Sequence, residues 1–108
     1  MKKSLYCLSS ILILSTLGTL AHAETFTVTQ KDKKFSQASI KLKNGDSINF
    51  KNEDPWFHNI FSLSDVQSFD LGSYPKGQFK TVVFNKDGKI DVECAIHPEM
   101  HMVVEVGK

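Results

Sequence analysis

The sequence predicts an all-β domain, a sandwich or barrel of about seven or eight short strands, from three observations. Apolar and polar residues alternate with period two in several separate segments. Turn residues punctuate these segments at roughly 8–12-residue intervals. No stretch sustains the 3.6-residue period of an amphipathic helix. A chain of 108 residues suits one small domain and excludes a multidomain enzyme.

The first segment reads as an address rather than as structure. Lys2 and Lys3 precede an apolar run from Leu5 to Leu20, and Ala21-His22-Ala23 closes it with a small-x-small cleavage signal. Ser9, Ser10, Ser15 and Thr16 interrupt the run, which falls short of the ~20 apolar residues a spanning helix needs. Cys7 lies ahead of the run, where no lipid-attachment signal belongs. Residues 1–23 are therefore expected to be a secretory signal peptide and 24–108 the mature domain. The product is expected to be periplasmic or otherwise exported, with no membrane insertion after cleavage.

The strands follow in order. Thr25–Thr29 alternates, Ser39–Lys43 repeats the pattern, and Asn44-Gly45 is a strong hairpin signal leading into Ser47–Lys51. Glu53-Asp54-Pro55 breaks the pattern before Trp56–Ser62 resumes it, with Trp56, His58 and Ile60 on one face and Phe57, Asn59 and Phe61 on the other. A polar stretch from Leu63 to Lys76 holds at most a short strand at Phe69–Leu71. Phe79–Phe84, a second expected hairpin turn at Asp87-Gly88, Ile90–Cys94 and Met102–Val106 complete the chain.

Charge narrows the function further. Without Lys2 and Lys3, eleven lysines face twelve acidic residues, a net charge of −1, and the chain has no arginine. Nothing supports nucleic-acid binding, which draws on a basic field and on the bidentate reach of arginine. Cys94 is the single cysteine of the mature chain and has no internal disulfide partner. In an oxidising compartment such a thiol needs to be buried or occupied.

Cys94-Ala95-Ile96-His97-Pro98-Glu99-Met100-His101-Met102 places a thiolate, two imidazoles and two thioethers on one loop, and His58 lies on a separate strand. Such soft donors suit copper rather than calcium or magnesium, and two His, one Cys and a weak axial Met are the donor set of a blue-copper electron-transfer site. Each residue also has a plainer reading. Cys94 could be a core residue, His58 a structural histidine, and Met100 and Met102 core fillers. His97 and His101 stand four apart, but Pro98 and the missing Glu defeat a metalloprotease motif. His101 reads as a solvated neighbour of the site and Trp56 as packing at its end. Lys31, Lys33 and Lys34 read as solvated strand-edge lysines.

These residues resemble the cupredoxins, the blue copper proteins, in their plastocyanin, pseudoazurin and amicyanin branch. The match rests on Lys43-Asn44-Gly45-Asp46 before a strand, Phe57-His58-Asn59-Ile60, and Cys94-x-x-His97-x-x-Met100, and it spans about residues 25–107. The resemblance implies a Greek-key β-sandwich holding one copper ion through His58, Cys94, His97 and Met100, with Met102 as the alternative axial ligand. It also implies that Asn59 braces the cysteine loop. Met100 is preferred because the residues after it then fall on the last strand without a gap. The chain departs from the family at Ile96, where proline often precedes the second His; here Pro98 follows it instead.

The expectation is thus a small exported type 1 copper protein, not an enzyme, that carries single electrons between redox protein partners, most simply as a monomer. The weak net charge implies a largely apolar, modestly salt-dependent encounter near His97. Two alternatives stand beside it. One is a copper-delivery protein of the same fold, favoured if Met102 and His101 are accessible beside the site. The other is a structural zinc site closed by His58, Cys94, His97 and His101.

Overall fold

The alternating segments become nine strands in the computed structural model, which describes residues 22–107. All but the last two residues of the expected leader lie outside this range. The strands are β1 (Thr25–Lys31), β2 (Lys34–Phe35), β3 (Ser39–Leu42), β4 (Ser47–Asn52), β5 (His58–Ser62), β6 (Phe69–Tyr74), β7 (Phe79–Val83), β8 (Gly88–Cys94) and β9 (His101–Val106). They form a four-stranded sheet in the order β2-β1-β4-β7 and a five-stranded sheet in the order β3-β9-β8-β5-β6. β1 runs parallel to β4 and β3 parallel to β9, so early strands lie beside later ones as a crossed sandwich requires.

Inward residues of both sheets meet in one core. The four-stranded sheet contributes Val28, Ile48, Phe50 and Val82; the five-stranded sheet contributes Leu42, Ile60, Tyr74, Ile90, Val92, Met102 and Val104. The period of two seen in the sequence is the buried–exposed alternation of β8 and β9. One polar layer crosses this core. Gln30 Nε2 donates to Tyr74 Oη at 3.1 Å, and Tyr74 Oη donates to the Phe50 carbonyl at 2.8 Å.

Two expected hairpins are corrected. Asn44-Gly45 carries the chain from β3 in one sheet to β4 in the other, and Asp87-Gly88 likewise leads from β7 into β8, which belong to different sheets. At the first turn, Asp46 N donates to Lys43 O at 3.0 Å, but only Gly45 has positive φ, at 102°. A hairpin of type I′ needs positive φ at both central residues; a turn with only its second central residue left-handed splays the flanking strands. The two crossovers instead hold each other. Gly45 N donates to Phe84 O at 2.7 Å and Asn44 Nδ2 to Asp87 Oδ1 at 2.9 Å.

A tight hairpin does occur where no glycine marks it. β1 pairs β2 through Lys31↔Lys34, and the two residues between them, Asp32 and Lys33, have φ of 54° and 60°. This is the primed turn on non-glycine residues, a costly conformation that something else must stabilise.

Buried carboxylates sit beside both ends of β4. Asp46, just before the strand, accepts from Glu24 N and Lys43 N, each at 2.8 Å. Those two amides, Glu24 first, hold its carboxyl below the ordinary carboxylate range despite the opposing effect of burial.

Candidate metal centre

Strand ends and one loop bring the sulfur and nitrogen donors together. His58 opens β5 and Cys94 closes β8, and the two strands pair with Ile60 opposite Cys94. Both residues face inward on their strands and are buried. The loop after Cys94 returns His97 to the same point, where it is half-buried, and Met100 N closes the turn on His97 O at 2.9 Å.

His58 Nδ1 lies 3.5 Å from Cys94 Sγ and 3.2 Å from His97 Nδ1; Cys94 Sγ lies 4.0 Å from His97 Nδ1. The three donor atoms all lie within 4.8 Å of one another. Two imidazole nitrogens and one sulfur aimed at a common point suit a soft or borderline cation such as copper, and the donor chemistry therefore fits the metal that the motif implies.

Asp54 decides which His58 nitrogen is free. Its buried carboxylate accepts from His58 Nε2 at 2.8 Å. A carboxylate can only accept there, so the proton of the neutral ring sits on Nε2 and the Nδ1 lone pair faces the cluster. The same carboxylate accepts from Asp32 N at 2.6 Å and Lys33 N at 3.0 Å, the two amides of the strained hairpin turn. Burial alone would push its pKa up; the hydrogen bonds from His58, Lys33 and Asp32 outweigh that and hold it below the ordinary range. Asn52 fixes the segment in turn. Its Nδ2 donates to Trp56 O and Tyr74 O, and its Oδ1 accepts from Asp54 N at 2.8 Å.

In the sequence Asp54 stands out only as part of the break before Trp56. The available signal was an aspartate four residues before His58, a spacing that becomes meaningful only once the loop's course is known.

Of the residues singled out from sequence, His58, Cys94 and His97 converge. The last pairs of β8 with β9 are Val92↔Met102 and Glu93↔His101. One further step along this register brings buried Met100 opposite Cys94. Met102 stands two residues deeper, roughly 7 Å, beside Val92, and is fully buried in the core. His101 points to the other face of β9, exposed, with Nε2 3.0 Å from Asp91 Oδ1. Asn59 touches the cysteine loop through its main chain, where its carbonyl accepts from Ala95 N at 2.9 Å. Its side chain lies instead 3.4 Å from Asp70 Oδ1.

The rim of the site is apolar. Trp56 is 38% exposed, with its ring centroid 6.3 Å from that of His97; Phe57 and Ile96 are 52% and 49% exposed. Pro98 is also exposed.

Over residues 22–107 the sequence matches the model of the copper-binding proteins of the plastocyanin/azurin family. It is 31% identical over 94 residues to the methylamine utilization protein MauL of Methylorubrum extorquens, covering 86% of this chain and 82% of MauL. The fold is similar to that of an amicyanin mutant in its Cu(I) form, with a TM-score of 0.71, 22% identity, and coverage of 76% of this chain and 81% of that one. It is also similar to a purple cupredoxin from Nitrosopumilus maritimus, with a TM-score of 0.67, 19% identity, and coverage of 75% and 98%. At these identities the structural likeness bears on the fold.

Proposed function

The chain belongs to the plastocyanin/azurin family of copper-binding proteins, and we propose that it holds its one copper ion through His58, Cys94, His97 and Met100. In this reading it carries single electrons between redox protein partners, as an exported monomer and not as an enzyme. The observation that carries the reading is the convergence of His58 Nδ1, Cys94 Sγ and His97 Nδ1 within 4.8 Å. Bound copper supplies a one-electron couple there.

The chain's own residues do the rest. Asp54 keeps His58 Nδ1 unprotonated and turned inward, and the Asn59 carbonyl pins the start of the cysteine loop at Ala95. Buried His58 and Cys94 leave half-buried His97, among exposed Trp56, Ile96 and Pro98, as the natural exit for an electron. The register that brings Met100 opposite Cys94 favours it as the axial ligand, with Met102 as a core residue. The fully buried Met102 and outward His101 weigh against a labile carrier site and against a zinc site using His101.

A visible spectrum of residues 24–108 titrated with Cu(II) tests this. An intense thiolate-to-copper band at one equivalent, bleached by ascorbate and restored by ferricyanide, is expected. Met100→Leu should shift that band and Met102→Leu should leave it in place. A colourless protein that binds metal tightly would sink the electron-carrier reading.

A further inference from the structure

Asn44-Gly45 joins the two sheets, and the metal centre makes no use of its chemistry. Asn44 is the one asparagine of the chain that glycine follows. That dipeptide can attack itself, because the glycine nitrogen reaches the asparagine side-chain carbon with no side chain of its own in the way. Neighbouring bulk does not shield the pair. Asn44 is exposed, and a Cβ placed on Gly45 would meet nothing within 4 Å.

Hydrogen bonds shield it instead. Gly45 N, the nucleophile, donates to Phe84 O at 2.7 Å. Asn44 Nδ2, the leaving group, donates to Asp87 Oδ1 at 2.9 Å. Both acceptors belong to the connection between β7 and β8. Phe84 is buried there and is itself fixed, its N donating to Asp46 O at 2.8 Å. A single local event, the parting of the two crossovers, therefore frees both reacting groups at once.

We propose that Asn44 is a self-modification site: it deamidates when this end of the sandwich opens, and its product keeps that end from closing fully. The Gly45 nitrogen gives up its proton to solvent and bonds to Asn44 Cγ, while the Cγ–Nδ2 bond breaks and Nδ2 leaves as ammonia. Water then opens the cyclic succinimide at one of its two carbonyls, leaving aspartate or isoaspartate at position 44. The sum is amide plus water to acid plus ammonia, with nothing oxidised or reduced.

Either product removes the donor to Asp87 and sets a second carboxylate beside it, where like charges repel. Isoaspartate also adds a methylene to the main chain ahead of Gly45, which draws its amide away from Phe84 O. Asp46, next in the chain, holds both Lys43 N and Glu24 N, so the loosening reaches the start of β1. Asp54 and His58 follow the other end of β4 and are spared.

Peptide mapping by mass spectrometry, with isoaspartate-specific methylation, follows each asparagine in the folded copper-loaded protein and in the metal-free chain in denaturing urea. In urea, Asn44 should convert well ahead of Asn85, which is exposed in the other crossover but followed by lysine. Gly45→Ala should slow that conversion. In the folded protein Asn44 should convert at least about tenfold more slowly than in urea, and Asp87→Ala should recover about fivefold, the worth of one ordinary hydrogen bond. Equal rates in the two states, an Asp87→Ala rate equal to the wild type, or an Asn44 that stays intact in urea each overturn the proposal. The modified protein, separated by its added negative charge on anion exchange, should bind copper as its parent does and unfold at a lower urea midpoint. An unchanged midpoint, or lost copper binding, also overturns it.

Discussion

Asp46 and Asp54 are near twins at opposite ends of the sandwich. Each adjoins one end of β4, each is buried, and each accepts two main-chain amides. They differ in one contact: Asp54 alone also accepts from a histidine ring, at 2.8 Å. The difference teaches how a structural device is turned to function. A buried carboxylate has more acceptor capacity than two amides use, and at the site end the remainder sets the tautomer and aim of a metal-facing imidazole. At the other end the same device ties a turn to the residue that precedes β1.

The strongest way to break this comparison is to remove each carboxylate. Asp54→Ala should weaken copper binding by about 10–100-fold, whereas Asp46→Ala should leave it unchanged once both proteins are confirmed as folded. Competition against a calibrated Cu(I) chelator reads this directly. Equal losses would show that Asp54 acts only through the stability of the fold.

Acid should expose the role of Asp46. Its pKa lies below the ordinary value of 3.8, so its contribution to stability is complete above that value and is lost as pH falls through the folded-state pKa. In the metal-free protein, Asp46→Asn should lower the urea midpoint at pH 6, and its gap from the wild type should narrow towards pH 3. A gap that stays constant would mean the carboxylate is not ionised in the fold.

A second near-twin pair, Met100 and Met102, sharpens the same lesson at smaller cost. Met102→Leu conserves volume inside the core and should cost less than about 1.5 kcal/mol by chemical denaturation. A larger loss would mean that Met102 has a role beyond filling space. The smallest effect concerns Tyr74, the one tyrosine among the described residues. Burial raises its pKa to about 12, so ultraviolet titration should show no phenolate near the ordinary pKa of 10. Because the folded value is raised, stability is unaffected below 10 and declines as pH rises towards the folded-state value. Phenolate appearing near 10 with the fold intact would show the Gln30–Tyr74 layer to be open to solvent.

What could be read from the sequence followed period and donor chemistry. β8 and β9 alternate because one face of each is buried, so Cys94 and Met102 could be assigned inward without a structure. The three converging donors were legible because few side chains offer soft ligands, and the Cys94-x-x-His97 spacing is restrictive. Strand pairing was not legible. Asn44-Gly45 is a good turn in isolation, and only the buried faces of distant strands decide that it changes sheets. The real hairpin at Asp32-Lys33 was hidden because its left-handed residues are held by a carboxylate more than twenty positions away. Asp54 was missed for the same reason: its meaning lies in partners the linear order keeps apart.

The contact between Glu24 N and Asp46 Oδ1 at 2.8 Å bears on maturation. In the precursor that nitrogen is a peptide amide. The proposed cut after Ala23 makes it a primary α-ammonium, and a neutral hydrogen bond to a buried carboxylate becomes an ion pair. Export processing would then tighten the fold at the moment it frees the domain. A recombinant chain with one extra residue before Glu24 would lack that charge at that position and should melt below the authentic product. Identical melting of the two would show that the new terminus takes no part.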